Sequence, residues 1–169
     1  MAATTLDVTY FQRDVLEVAP DLIGKYLVRC YGDGCMERMR IVETEAYRGV
    51  EDMACHAHKG RTKRTEVMFH IGGELYVYLI YGMYYMLNIV TGIKDEPQAV
   101  LIRGVEGVWG PGRLTKRLRI DAGFNGEVIP STRIWVEDSG ERPHHITTPR
   151  IGVGYAGVWK DKPWRFVLR

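Results

Sequence analysis

The sequence predicts an α+β domain: a single compact unit with a curved, mostly antiparallel sheet, short helices and a protruding β-hairpin. Three observations support this. The apolar segments are mostly of strand length and do not alternate regularly with helical ones, as a parallel α/β fold would require. The chain has 169 residues, 46% of them hydrophobic and 26% charged, which suits one soluble globular domain spanning residues 1–169. Finally, the uncharged run Leu75–Val90 holds five of the ten tyrosines, with Gly82 at its middle, and forms two strands around a tip.

Along the chain, Tyr10–Val18 has the pattern of a short amphipathic helix that stops near Pro20. Tyr26–Tyr31 is a strand, and Gly32-Asp33-Gly34 is a turn because these residues tolerate positive φ. Met39–Tyr47 is the returning strand. Simple alternation puts Arg40, Val42, Thr44 and Ala46 on one face and Ile41, Glu43, Glu45 and Tyr47 on the other. Asp52–His58 fits a short helix or a loop, and His56–Arg64 a polar, basic loop. Leu75–Tyr81 and Tyr84–Val90 pair as the hairpin, and Gln98–Val105 is a further strand. Glycine-rich Gly107–Gly112 precedes a basic helix from Arg113 to about Ile120. Arg133–Val136, Arg150–Val153 and Arg165–Leu168 close the chain as short strands.

Composition excludes several classes. Low-complexity and disordered chains lack this apolar content. Three cysteines, Cys30, Cys35 and Cys55, do not make a disulfide framework. The N-terminus has Asp7 and Asp14 and lacks the apolar segment of a signal peptide. Leu75–Val90 is shorter than the roughly 20 residues a membrane helix needs, so no membrane association is expected. The net charge of +2 is unevenly spread: residues 1–55 carry six Lys and Arg against ten Asp and Glu, and residues 56–169 carry seventeen against eleven. This imbalance points to a polyanion-binding face in the later part of the chain.

Several constellations carry chemistry. Glu43 and Glu45 stand at i and i+2 of a strand, with aromatic Tyr47 next on the same side. A solvated strand face could carry the same residues, but the apolar lead-in Ile41-Val42 favours partial burial, where a carboxylate becomes a useful general base. A strand ending in Arg103 needs a partner for its charge, and Glu45 would serve. Tyr81-Gly82-Met83 places an aromatic ring and a thioether at an exposed tip, the form of a wedge between DNA base steps. Two cation clusters contain no acid: Lys59, Arg61, Lys63 and Arg64, and Arg113, Lys116, Arg117 and Arg119. With exposed aromatics nearby, they point to nucleic acid. Cys55-His56-Ala57-His58 matches no standard zinc spacing, and no P-C-x-x-C follows it, so no metal is expected.

Taken together, these stretches resemble the alkyladenine (3-methyladenine) DNA glycosylase family of mammalian type. The resemblance rests on Ile41-Val42-Glu43-Thr44-Glu45-Ala46-Tyr47, Met68-Phe69, Leu75–Tyr84, Asn88-Ile89 and Val100–Arg103. It also includes Gly110-Pro111-Gly112 followed by Leu114, Arg150–Gly154 and Pro163–Phe166, and so runs from about Thr9 to the end. It implies a monofunctional glycosylase without lyase activity or cofactor, working as a monomer on double-stranded DNA that contains damaged purines. The location implied is intracellular, with DNA: the cytoplasm or nucleoid of a bacterium, or a eukaryotic nucleus. Glu45 matches the catalytic base and Arg103 the arginine that holds the attacking water, with a backbone carbonyl around Ile151 completing the water site. Tyr47 and His56 match one side of the pocket for the flipped base and Tyr78 the other, while Asn88 matches the asparagine that rejects guanine. Tyr81 matches the intercalating residue, and Met83 and Tyr84 the groove-lining ones. Lys59, Arg61, Lys63, Arg64, Arg113 and Lys116 are candidates for the DNA backbone. A non-catalytic damaged-DNA-binding module is the alternative; it would use the same cations and tyrosines but leaves the pairing of Glu45 with Arg103 unexplained.

Overall fold

The architecture comes from a computed structural model that describes residues 2–169. Ten strands form one sheet: β1 (Thr4–Thr5), β2 (Tyr26–Cys30), β3 (Met36–Arg48), β4 (Leu75–Ile80), β5 (Tyr84–Thr91), β6 (Gln98–Val105), β7 (Val108–Trp109), β8 (Ile134–Asp138), β9 (His145–Thr148) and β10 (Arg165–Leu168). The main path runs β1-β8-β2-β3-β6-β5-β4, and every pairing is antiparallel. Two short helices, α1 (Val15–Asp21) and α2 (Pro111–Arg117), pack on it. The predicted α+β class is the one observed.

Several elements differ from the sequence reading. The single helix expected over Tyr10–Val18 is two, because two aspartates each cap a helix start. The Asp7 side chain accepts from the Thr9 N–H ahead of a 3₁₀ turn, Val8–Phe11, and Asp14 accepts from the Leu16 N–H ahead of α1. Helix α1 ends at Asp21, next to Pro20 as expected, with the missing N–H of the proline in its last turn. Helix α2 starts earlier than expected, with Pro111 in its first turn, and ends by Arg117, before Arg119 takes a positive φ of 52°. Arg150–Val153 is not a strand: Arg150 is drawn into the interior and Gly152 turns the chain at φ 75°. The strand in that region is β9, which pairs with β10.

The alternation expected for β3 fails at one place. The ladder between β3 and β6 is irregular around Glu43 and Gly104. Ile41 and Ala46, five residues apart, belong to the same core cluster, and so do Ile102 and Val105, three apart. In a regular strand an odd separation would put each pair on opposite faces. Ile41 therefore leaves the face of Glu43, Glu45 and Tyr47 and joins the core. Gly104 permits the crossing, because a Cβ there would lie 3.3 Å from the Glu43 Cβ.

The two faces of the sheet have different jobs. Leu75, Val77, Leu87, Ile89, Val100 and Ile102 pack with α1 and α2 into the main core, and Thr44 hydrogen-bonds the Ala19 carbonyl of α1 at 2.8 Å. The alternate residues, Tyr76, Tyr78, Met86, Asn88, Leu101 and Arg103, line the opposite face.

A buried ion pair ties the segment after β9 to this second face. Asp52 and Arg150 have fully buried side chains and meet in bidentate fashion at 2.6 and 2.9 Å. Arg150 also donates to the Ala46 and Trp159 carbonyls, and Asp52 accepts from the Arg48 and Ala54 N–H groups. Asp52→Ala would leave the Arg150 guanidinium buried without a counter-ion, and the expected loss is about 3–5 kcal/mol of stability. Urea unfolding at constant slope measures it, and a loss below about 1 kcal/mol would show that the pair does not hold this segment.

Candidate active site

Glu45 has neighbours on both edges of its strand, Leu101 on β6 and Arg165 on β10. It is fully buried. Its Oε2 accepts from the Ile151 N–H at 2.7 Å, its Oε1 accepts from the Tyr47 hydroxyl at 2.8 Å, and Arg103 Nη1 stands 3.6 Å from Oε1. Burial raises the Glu45 carboxyl above the ordinary glutamate range, and nearby Glu43 adds to this, against Arg103, the Ile151 N–H and the Tyr47 hydroxyl, which lower it. The segment at Ile151 thus reaches the carboxylate through its amide, a contact the sequence did not show.

In front of this group lies a cavity of about 310 Å³. Tyr47, His56, Tyr78, Asn88 and Arg103 all line it, so the sequence-predicted pocket residues come together. Glu45 stands one layer behind, with Tyr47, Arg103 and Ile151 forming the wall between. His56 and Tyr78 have ring centroids 4.4 Å apart, and Tyr78 and Tyr76 5.2 Å, so His56 stands with Tyr78 and not across the pocket from it as the sequence reading had it. His56 Nδ1 meets the Tyr76 hydroxyl at 3.1 Å. Burial, reinforced by the Arg64 and Lys59 charges, lowers the His56 pKa to about 4, so the imidazole is neutral at neutral pH. Asn88 is buried and donates through Nδ2 to the Tyr76 carbonyl at 3.1 Å. Burial raises the Tyr47 and Tyr78 phenols, so both stay protonated near neutral pH.

The hairpin β4–β5 projects beside the cavity. Tyr81 and Gly82 both take positive φ, 50° and 64°, and the Met83 N–H closes the turn on the Ile80 carbonyl. A tyrosine in that region costs of order 1 kcal/mol, yet the turn holds it 86% exposed. Met83 and Tyr84 are exposed beside it. Gly112 lets α2 press on the hairpin next to its tip, since a Cβ there would lie 2.8 Å from the Tyr84 ring.

The cations divide into two sets. Lys59, Lys63, Arg64, Arg113 and Lys116 are exposed, and the Arg64 guanidinium lies 5.6 Å from the Tyr78 ring centroid at the pocket edge. Arg61 is engaged internally, by Glu66 through two bonds of 2.7 Å and by Asp95 at 2.9 Å. Arg117 is held by Glu37. His58 meets the Val50 carbonyl at 2.6 Å, away from the His56–Tyr76 contact. Among the described residues no three His, Cys, Asp or Glu side chains converge on a metal position.

Sequence reasoning missed several members of the site. Tyr76 and Met86 share the lining face with Tyr78 and Asn88, a signal available in the period of two. Tyr155, Asp52 and Arg150 had no such signal. Arg165 lay in a strand that was recognised, but its contact with Glu43 at 2.6 Å depends on the pairing of β10 with β3.

Comparison with known proteins identifies the family. The family model for methylpurine-DNA glycosylase (MPG) matches residues 9–110 and 106–169. Proteins bearing the name "Putative 3-methyladenine DNA glycosylase" are similar along nearly their whole length. That of Psychrobacter cryohalolentis is 45% identical, with 92% of each chain covered. That of Legionella pneumophila strain Lens is 46% identical, with 95% of this chain and 92% of the relative covered. That of Natranaerobius thermophilus is 40% identical, with 97% and 95% covered. A buried carboxylate–arginine pair behind a tyrosine-lined cavity, beside an exposed aromatic wedge, stands in a chain that belongs to the methylpurine-DNA glycosylase family.

Proposed function

We propose that this DNA glycosylase flips alkylated or deaminated purines out of duplex DNA and excises them by water attack at C1′, starting base excision repair. The substrates are 3-methyladenine, 7-methylguanine, hypoxanthine and ethenoadenine. The observation that carries the reading is the placement of Glu45, buried and 3.6 Å from Arg103, directly behind the cavity that Tyr47, His56 and Tyr78 line.

A base inside the stack is out of reach of a side chain, so the nucleotide rotates out at a cost of a few kcal/mol, least for a weakened pair. Tyr81 enters the gap from the minor groove and offsets the lost stacking, with Met83 and Tyr84 along the groove. Lys59, Lys63, Arg64, Arg113 and Lys116 hold the bent backbone through phosphate contacts that carry no sequence information. The flipped ring lies with Tyr47 on one side and with His56 and Tyr78 together on the other, since those two rings are in contact and leave no space for a base between them. Tyrosine faces attract a cationic alkylpurine by roughly 0.5–2 kcal/mol each. The neutral His56 adds no repulsion to that cation. Asn88, fixed by the Tyr76 carbonyl, crowds the exocyclic amino group of guanine.

Cleavage passes through an oxocarbenium-like state. Glu45 takes a proton from the attacking water and its charge stabilises the cationic sugar, while Arg103 orients the water. Among the described residues no lysine lines the cavity, which supports a hydrolase that acts without an amine nucleophile and leaves an abasic site. The enzyme works as a monomer on cellular DNA, without metal or cofactor.

Three outcomes follow. Glu45→Gln should bind a hypoxanthine or 7-methylguanine duplex yet release base about a hundredfold or more slowly in single turnover. Release at the wild-type rate removes Glu45 from its role, and tight lesion binding without release by wild type would favour the non-catalytic binding module. The burial of Glu45 sets a pH dependence: the carboxylate must be ionised to act, so excision of 7-methylguanine should fall on acidification with a midpoint above the ordinary glutamate value. A midpoint at or below that value would contradict a base held in this environment. Tyr81→Ala should weaken lesion binding by about 1–3 kcal/mol while saturating single-turnover excision from a bulged substrate changes less. An equal loss in both would place Tyr81 in the chemical step.

A further inference from the structure

Glu43, the first carboxylate of the β3 pair, has no part in the steps above, yet it is as carefully placed as Glu45. It is 5% exposed, and its Oε1 accepts from two guanidinium groups at once, Arg103 Nε at 3.0 Å and Arg165 Nε at 2.6 Å. Arg165 is anchored at its other end by Nη1, which donates to Thr148 Oγ1 on β9 at 3.0 Å. The irregularity of the sheet at Glu43 and Gly104 brings these groups together. It sets Glu43 beside the end of β6, and the absent side chain of Gly104 eases the close approach, since a Cβ there would lie 3.3 Å from the Glu43 Cβ. Arg103 then spans two carboxylates, with Nε on Glu43 and Nη1 toward Glu45.

We propose that Glu43 and Arg165 are positioning residues: together they hold the Arg103 guanidinium in line with Glu45 and share its charge between the two carboxylates. The inference rests on the reading of Glu45 as the base. Glu43, Glu45, Arg103 and Arg165 form a balanced set of two anions and two cations, and a planar guanidinium pinned through Nε keeps only its outer nitrogens free to aim. Without Arg165, Arg103 alone neutralises Glu43 and is drawn away from Glu45. Without Glu43, Arg103 and Arg165 both turn their charge on Glu45 and Arg103 loses its anchor.

The groups facing Glu45 from each packed element are Glu43 and Tyr47 on β3, Arg103 on β6, Arg165 on β10, Tyr78 on β4, and the Ile151 N–H after β9. Arg150 stands behind the Tyr47 ring at 4.9 Å from its centroid. Tyr47 and Tyr78 are uncharged in the working range, so the field at Glu45 is set by Arg103 against Glu43, with Arg165 offsetting the Glu43 charge. Loss of Arg165 makes Glu45 easier to protonate, and loss of Glu43 makes it harder.

The test is single-turnover base release from a 7-methylguanine duplex across the acid limb, with Glu43→Gln, Arg165→Gln, Arg165→Lys, the Glu43→Gln/Arg165→Gln double variant and Glu45→Gln beside wild type. Lesion-DNA affinity is measured for each. Arg165→Gln should move the limb to higher pH and Glu43→Gln to lower pH, each changing the relative rate on the limb about three- to tenfold. Glu43→Gln should also lower the plateau roughly ten- to hundredfold, because the arginine is no longer aimed. The double variant should return the limb toward wild type, and Arg165→Lys, which keeps the charge, should leave it nearly in place. Lesion affinity should stay close to wild type throughout. The proposal is overturned by coinciding limbs in all variants, by Arg165→Lys shifting as far as Arg165→Gln, or by lost lesion affinity in Glu43→Gln and Arg165→Gln. Glu45→Gln separates the two readings. If it releases base normally, the assignment of the base itself fails; if it is inactive while the other limbs coincide, only the positioning role fails.

Discussion

Taking the Glu45 carboxylate out of water into the middle of a sheet costs several kcal/mol, and the groups around it offset only part of that cost. The Ile151 amide, the Tyr47 hydroxyl and the Arg103 guanidinium each favour the charged form, yet the net effect of the site is still to raise the pKa. Each of those three groups must itself be held. Ile151 is carried by the segment that the buried Asp52–Arg150 pair fastens to the strand bearing Tyr47, through the Arg150 bond to the Ala46 carbonyl. Arg103 is held through Glu43 and Arg165. The N-terminal half of the chain supplies the carboxylates, and the C-terminal segments supply Arg150 and Arg165. The chain must close on itself before the site exists.

The sheet makes this economical in residues. One face is an ordinary apolar core under two short helices, and the other is a pocket wall of tyrosines, an asparagine and an arginine. The same ladders of backbone hydrogen bonds position both. A side chain on the pocket face therefore has a rigid backbone beneath it and a packed core beneath that. This arrangement suits a site that must discriminate bases by crowding and by ring contact, since both fail if the wall gives way.

Electrostatics divides the surface of the site by task. On the pocket wall His56 is neutral because burial and the adjacent Arg64 and Lys59 oppose its protonation. Those cations are exposed at the surface. Arg61, read from sequence as one of them, is engaged by Glu66 and Asp95 and contributes less free charge than its neighbours. The hairpin tip shows a similar division. A left-handed Tyr81 is locally unfavourable, and it persists because the strands on either side are registered from Leu75–Ile89 to Ile80–Tyr84.

Much of the site was legible in the sequence because strands reveal themselves by period and because the chemistry-bearing residues cluster locally. Glu45 with Tyr47, the tyrosine hairpin, Asn88 and Arg103 all lie on segments whose strand character follows from alternation and β-propensity alone. Both hairpin strands and β6 were found nearly to the residue. Alternation assumes a regular ladder, so it could not show the irregularity at Glu43 and Gly104 that sends Ile41 into the core. It could not distinguish a strand at Arg150–Val153 from a turn imposed by a buried partner 98 residues away. By itself the sequence determined the strand-rich class, the family, and several of the residues that line the cavity, because those depend on local pattern and composition. Only the tertiary structure decided the face each side chain takes, the contact of the Ile151 amide with Glu45, and the sharing of Arg103 between two carboxylates. Those depend on which distant backbones pair, and pairing energy carries no local signature.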